Sequence, residues 1–247
     1  MKIKVSPKVA QMLRDNTLYD TIVLPGQLYE ATKTVAEKYG LNQSNVIFGN
    51  GLCPDEIKGG LKAPFVAGYG SNRHFNLCRV DGILKGNDMV GAMSHHVPDG
   101  GGFIVLNAPH VCVNSNGQFG KIIRYGQNKE TACCGAAMGY LEKYTSGDRG
   151  EPKLEDVLSV PDSFDISPDY DTYVLKKVLY PHMDEIINSK IPQLALTQKL
   201  CDLIAEDFDA RCSKILRKEG SVLYVSGIEY DVQTGDSGGG VENLFAP

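Results

Sequence analysis

The sequence predicts an α/β fold in which helices flank a central, mostly parallel sheet with an antiparallel edge. Short apolar strand patterns alternate with helical patterns along the 247 residues. Hydrophobic residues make up 42% and charged residues 22% of the chain, which is typical of a globular protein. Because neither an internal repeat nor a long linker divides the chain, we expect one domain over residues 1–247.

The helices and strands follow from the spacing of apolar residues. Helices are predicted at residues 10–16, 28–39, 131–144 and 193–218. Strand patterns cover residues 45–50, 103–106, 111–113, 120–123, 222–225 and 228–232. The turn sequence Ser115-Asn-Gly favours a hairpin between the third and fourth of these strands, and Thr131 is a possible N-cap. The Gly-rich stretch from about residue 234 predicts a flexible tail.

Charge and cysteine usage exclude several classes of protein. The net charge is −5 and there is no basic stripe, so a nucleic-acid partner is not expected. No apolar run reaches the ~20 residues that span a bilayer, and the first residues lack the apolar core of a signal peptide. The seven cysteines are odd in number and irregularly spaced. This usage favours a reducing compartment, with cysteines acting as ligands, nucleophiles or core residues rather than in disulfides.

Three segments carry side chains that suit a metal ion. They are Cys53 in Cys-Pro-Asp-Glu, His110 in Ala-Pro-His-Val, and the adjacent pair Cys133 and Cys134. Two thiolates and one imidazole suit tetrahedral Zn²⁺, and three protein ligands would leave one position for water, as in catalytic sites. The spacing alone is a weak signal, because none of these residues forms a tight Cys-x-x-Cys clip. The other cysteines, namely Cys78, Cys112, Cys201 and Cys212, are interpreted as core residues.

Five motifs in one order resemble the limiting-CO2-inducible protein B/C family, whose members are similar to β-type carbonic anhydrases and include proteins called theta-class. The motifs are Cys53-Pro-Asp-Glu-Ile, Ser94-His-His-Val-Pro-Asp, Pro109-His-Val, Gly120-Lys-Ile-Ile-Arg-Tyr-Gly-Gln and Cys134-Gly-Ala-Ala. The resemblance implies a β-carbonic-anhydrase-like fold and a zinc ion held by Cys53, His110 and Cys134. A swap of Cys134 for Cys133 stays open. The resemblance also implies a homodimer. The expected location is an intracellular, reducing compartment, either the cytoplasm or, if a targeting peptide has been removed, the chloroplast stroma.

The resemblance implies reversible hydration of CO2 to bicarbonate by a zinc-bound hydroxide. In β-type enzymes an Asp two residues after the first Cys pairs with an Arg, and Asp55 fits the Asp position. The Arg expected two residues further on is replaced by Ile57. Arg79 is therefore the first choice of partner, with Arg73 or Arg124 as substitutes.

Other functions stay open at this stage. A catalytically silent zinc-binding scaffold or regulator of CO2 concentration is the main alternative. A zinc deaminase is disfavoured because its Pro-Cys-x-x-Cys motif is missing. A metal-free hydrolase could use Cys53 as nucleophile and His110 as base. The pair His95-His96 could form a second metal site or a proton shuttle, although a structural loop is favoured.

Overall fold

Two parallel strands at the centre of the fold are buried along their whole length. The computed structural model describes residues 7–16, 22–70, 74–155, 170–215, 220–234 and 240–247. Within these residues the strands are β1 (Val46–Leu52), β2 (His74–Asn76), β3 (Gly102–Ala108), β4 (His110–Val113), β5 (Lys121–Ile123), β6 (Glu130–Ala132), β7 (Ser221–Ser226), β8 (Ile228–Gln233) and β9 (Val241–Ala246). The central sheet has the order β2-β1-β3-β7, and all its pairings are parallel.

Helices cover both faces of this central sheet. Within the same residues they are α1 (Pro7–Asn16), α2 (Pro25–Lys38), α3 (Gly59–Tyr69), α4 (Asn87–Ser94), α5 (Gly135–Thr145), α6 (Tyr170–Leu179), α7 (Met183–Ile187) and α8 (Pro192–Ile215). Successive side chains of a strand point to opposite faces. Phe103 accordingly belongs to an apolar cluster with residues of α4 to α8, whereas Ile104 belongs to a cluster with residues of α2 and α3. The predicted α/β fold is therefore confirmed. None of the helices in the described ranges is long and apolar enough to cross a bilayer.

A second sheet, of order β4-β8-β9, contains the antiparallel pairing that was expected at an edge. Strands β4 and β8 are parallel, whereas β8 and β9 are antiparallel. One face carries Val111, Tyr230 and Leu244, which belong to an apolar cluster with residues of α1 and α8. The alternate positions carry polar residues, among them Asp231, and these are also buried. This sheet therefore has a polar face inside the protein.

The predicted hairpin between residues 111–113 and 120–123 is present only as a short antiparallel contact, in which Val113 is bridged to Phe119 and the N–H of Gly120 donates to the carbonyl of Cys112 at 2.9 Å. The chain does reverse at the expected turn, where the N–H of Gly117 donates to the carbonyl of Asn114 at 2.9 Å. Beyond this contact the hairpin does not continue, because β4 pairs along its length with β8, and β5 pairs with β6. The reason is burial: β4 is fully buried and needs a long-range partner strand, whereas β5 and β6 form a short ribbon of their own.

The helix predicted from Thr131 begins four residues later. Thr131 and Ala132 belong to β6, and Cys134 is the N-cap of α5. Strand pairing with β5 therefore prevails over the helical spacing at these residues. The last predicted helix corresponds to α8, and its expected end at 216–218 lies outside the described residues.

The flexible tail expected from about residue 234 is also wrong for its last part. Residues 241–246 form β9, in which Leu244 and Phe245 are buried. These apolar side chains complete the clusters on both sides of the second sheet. Residues 235–239 lie outside the described part of the chain.

Candidate metal centre

The carboxyl ends of β1 and β3 bring the predicted ligands together. These strands are parallel neighbours, with Leu52 opposite Ala108. Cys53 directly follows β1, and His110 follows β3 after one proline. Cys134 enters from the other side as the N-cap of α5. Three segments far apart in sequence therefore converge at one edge of the central sheet, where α/β proteins commonly bind ligands.

The three side chains form a buried cluster of potential metal ligands. Cys53 is 6% exposed, His110 0% and Cys134 3%. One ligand atom from each lies within 4.8 Å of those of the other two. The two sulfur atoms are 3.8 Å apart. Tetrahedral zinc with bonds of about 2.3 Å to sulfur requires a sulfur–sulfur separation of about 3.8 Å, so the two sulfur atoms have the spacing, and the three side chains the chemistry, that Zn²⁺ requires.

Contact between the two cysteines separates their pKa values. The hydrogen bond with Cys134 is the largest influence on Cys53 and, helped by His110, lowers the pKa of its thiol to about 4, although burial acts in the opposite direction. The same contact, with burial, raises the pKa of Cys134 well above its ordinary value. Cys53 is therefore the thiol that ionises more readily, and binding of a cation would favour loss of the proton from both.

Asp81 connects two of the potential ligands. Its backbone N–H donates to Sγ of Cys53 at 3.2 Å, and its carboxylate accepts from the backbone N–H of His110 at 2.9 Å. The residue is fully buried with φ of 50°, a left-handed conformation that Asp tolerates better than most residues. Asp81 is not among the site residues predicted from sequence, although the turn-forming pair Asp81-Gly82 is typical of a position of this kind.

The His110 ring is held by residues that the sequence analysis also missed. Its Nδ1 atom lies 2.8 Å from Oδ2 of Asp231 in β8. Asn243 in β9 donates to the other oxygen of Asp231 at 2.6 Å. Polar residues alternate with apolar ones along β8, which is typical of a strand with one solvated face. That pattern did not reveal that the polar face is buried.

Asp55 pairs with Arg124 rather than with Arg79. The two terminal nitrogens of Arg124 donate to the two carboxylate oxygens of Asp55 at 2.7 and 2.9 Å. Arg79 instead pairs with Asp171, and its guanidinium lies 5.1 Å from the ring centre of Tyr170. The expectation that Arg79 is the partner is therefore wrong, because the β5–β6 ribbon places Arg124 beside the Cys53 segment.

Arg124 is held in place by its own ribbon. Its Nε donates to the hydroxyl of Thr131 at 3.1 Å, so the residue expected to cap a helix instead orients a guanidinium. Burial is the largest single influence on the pKa of Asp55 and would raise it. The hydrogen bonds and charge of Arg124, together with smaller contributions from Glu56 and His110, nevertheless hold that pKa well below its usual value. The substitute Arg73 lies outside the described residues.

Cys133 forms a disulfide with Cys112, contrary to the expectation that the cysteines do not pair. Both residues are fully buried, and their Cα atoms are 5.7 Å apart. The crosslink connects β4, which begins at His110, to the residue preceding Cys134. Sγ of Cys133 lies 3.5 Å from Nδ1 of His110, and Asp55, His110 and Cys133 form a further group of potential ligand atoms within 4.8 Å. Cys134, however, is the cysteine that lies next to Cys53.

The adjacent histidines lie apart from this cluster. His95 and His96 are exposed at the end of α4, and the ring of His96 packs against that of Phe75. Among the described residues, neither belongs to a group of potential metal ligands. The favoured interpretation of this pair as part of a structural loop agrees with that placement.

Comparisons with known proteins give one family and one fold. A sequence model of the limiting CO2-inducible proteins B/C, described as β carbonic anhydrases, matches residues 23–235. The crystal structure of PtLCIB4, a homolog of the limiting CO2-inducible protein LCIB, is 20% identical with a TM-score of 0.79, covering 96% of this chain and 92% of that chain. The crystal structure of LCIB itself is 18% identical with a TM-score of 0.59, covering 92% and 87%. No curated protein matches the sequence significantly.

Proposed function

Because the chain belongs to the limiting CO2-inducible protein B/C family, we propose that it binds one zinc ion and catalyses the reversible hydration of CO2 to bicarbonate. Cys53, His110 and Cys134 are the proposed ligands. The observation that carries this proposal is their buried cluster, with sulfur atoms 3.8 Å apart. Zinc held there would supply an activated water for attack on CO2.

The residues around the proposed ligands have separate roles in this proposal. The Asp81 N–H donates to Cys53 and reduces the negative charge on that sulfur. Asp55 is proposed to accept a hydrogen bond from the attacking water and thereby to orient it. The guanidinium of Arg124 engages both carboxylate oxygens and restrains Asp55 from moving onto the ion. A homodimer is proposed on family resemblance, and sedimentation velocity would test it.

A metal-free thiol hydrolase is the second candidate. The His110–Asp231 contact and the lowered pKa of Cys53 are features of a Cys-His-Asp nucleophilic site. Such a site needs no second cysteine, whereas Cys134 lies 3.8 Å from Cys53. The zinc proposal explains both cysteines and is therefore preferred.

Zinc content and CO2 hydration, measured on the same preparation, test the proposal. We expect one zinc per chain and hydration by stopped flow that a chelator abolishes. Cys53→Ser should lose both metal and activity, whereas Cys212→Ser, a half-buried cysteine outside the cluster, should keep both. Zinc without hydration would favour the silent scaffold. A chelator-resistant esterase activity would favour the hydrolase.

A further inference from the structure

A buried carboxylate orients the His110 ring. Nδ1 of His110 and Oδ2 of Asp231 are 2.8 Å apart, and both side chains are fully buried. A carboxylate only accepts hydrogen bonds, so Nδ1 is the protonated nitrogen and donates to Asp231. The other nitrogen, Nε2, then carries the lone pair that a metal ion requires.

Asp231 is itself fixed by the last strand. Nδ2 of Asn243 donates to Oδ1 of Asp231 at 2.6 Å, so each carboxylate oxygen has a defined donor. Asn243 also donates to the carbonyl of Ile57 at 3.2 Å, which is four residues after Cys53. The contacts therefore run from the Cys53 segment through β9 and β8 to the His110 ring.

The position of Asn243 leaves little room for other arrangements. A Cβ atom added to Gly60 would lie 1.9 Å from Oδ1 of Asn243, so the start of α3 packs directly on this amide. Asn243 is 7% exposed, and the contact with Gly60 restricts the rotamers open to its side chain. Burial of the Asp231 carboxylate is costly unless its oxygens accept hydrogen bonds, and His110 and Asn243 supply these bonds.

We propose that Asp231 and Asn243 are positioning residues of the metal centre, which select the His110 tautomer that presents Nε2 to the ion. This inference rests on the proposed function in taking zinc as the ion. Neither residue is assigned a contact with metal or substrate. Asp231 acts through the Nδ1–H of His110, and Asn243 acts through Asp231.

Asp231→Asn is the sharpest variant, because it keeps the shape and removes the charge. The amide of the new Asn side chain can donate to Nδ1 of His110 and thereby favour the tautomer that carries its proton on Nε2. A protonated Nε2 has no lone pair with which to bind a metal ion. We expect zinc affinity, measured by chelator competition, to fall by about 10- to 100-fold. Asn243→Ser should weaken zinc binding by a smaller factor. Glu242→Gln, on the same strand, is the matched control and should bind zinc as the unaltered chain does.

A spectroscopic measurement separates positioning from a purely structural role. Ring ¹⁵N NMR of the zinc-loaded, unaltered protein should show His110 protonated at Nδ1 and bound through Nε2. Binding through Nδ1 would overturn the proposal, as would an Asp231→Asn protein with unaltered zinc affinity. If Asp231→Asn does not fold, the NMR result and Asn243→Ser decide the question. None of these measurements uses CO2. A protein that binds zinc but does not hydrate CO2 would therefore contradict the proposed catalysis and leave the positioning role of Asp231 and Asn243 intact.

Discussion

The carboxylate of Asp55 contacts the guanidinium of Arg124 and lies beside the proposed zinc site. Arg124 bonds both of its oxygens, and Arg124 is in turn bonded to Thr131 and to the carbonyl of Ala132. A two-point contact of this kind is directional and is stronger than a contact between neutral groups. At the scale of single residues, the geometry of Arg124 would therefore decide, in the proposed zinc site, whether Asp55 stays beside the ion or closes the site.

Replacement of Arg124 should reduce catalysis without loss of metal. In Arg124→Ala the carboxylate of Asp55 is free to turn towards the ion, so we expect CO2 hydration to fall by about 10- to 100-fold, as for the loss of other partners that surround a metal site. Zinc content should remain at one per chain, because no ligand is changed. Arg79→Ala is the control and should retain activity, since Arg79 pairs with Asp171. Full activity in Arg124→Ala would contradict this role.

The ion pair between Asp55 and Arg124 predicts that the stability of the fold decreases at acidic pH. The pKa of Asp55 lies below its ordinary value of 3.8 in the folded protein. The stabilisation that this shift provides is fully present above about pH 5 and is lost as the pH falls through 3.8 towards the lower, folded pKa. The unfolding free energy of metal-free protein, measured from about pH 3 to 6, should decline more steeply than that of Asp55→Asn. Parallel curves for the two proteins would argue against the ion pair.

The two adjacent cysteines should respond differently to substitution. Cys134→Ser removes a proposed ligand, and since a hydroxyl is a poor ligand for zinc we expect the metal to be lost. Cys133→Ser, combined with Cys112→Ser to avoid an unpaired buried thiol, should keep its zinc. Elemental analysis after dialysis checks both. If zinc is retained in Cys134→Ser and lost in the double variant, the ligand is Cys133 rather than Cys134.

At the scale of elements, sequence patterns predict the core strands better than the segments that complete the site. Runs of apolar residues identify β1 and β3, and the positions of Cys53 and His110 follow from the ends of those strands. Sequence alone predicts Arg124 only as a substitute partner of Asp55, because 69 residues separate the two and the pairing of β5 with β6 is not part of the predicted hairpin. Glycine content indicates a tail, but it does not report the apolar residues that follow it in β9.

The packing of β9 can be tested by truncating one side chain. Phe245 is fully buried and pairs with Glu229 across the second sheet. Phe245→Ala should lower the unfolding free energy by about 3–5 kcal/mol, because a cavity remains where the ring is removed. Glu242→Ala, a half-buried position of the same strand, should change it by less than about 0.5 kcal/mol. Denaturant unfolding measures the unfolding free energy of both variants. If both substitutions change it by the same small amount, the Phe245 ring does not contribute to the core.

On the scale of the whole molecule, the proposed zinc site lies where the two sheets meet. Cys53 follows the central sheet, His110 begins the second sheet, and Cys134 begins a helix that packs with the helical layer over the central sheet. The site is assembled only when these parts have folded together, so zinc should bind the native state and raise its stability.

The Cys112–Cys133 disulfide should contribute to the stability of the whole fold. It closes a loop with a sequence separation of 21 residues. By the chain-entropy estimate, closure of such a loop stabilises the native state by about 3 kcal/mol. Unfolding with and without a dithiol reductant, with thiols counted by mass spectrometry, checks this value. A protein that unfolds at the same denaturant concentration in both conditions would show that the bond contributes little.

The crosslink has a second consequence, which concerns the denatured chain. His110 and Cys134 lie two residues and one residue from the bonded cysteines, so they stay close together after the sheets have separated. Their local concentration around a zinc ion then remains high, by the same argument that applies to tethered binding modules. Oxidised, unfolded protein should therefore retain weak zinc affinity, and zinc should raise the stability of the oxidised form less than that of the reduced form.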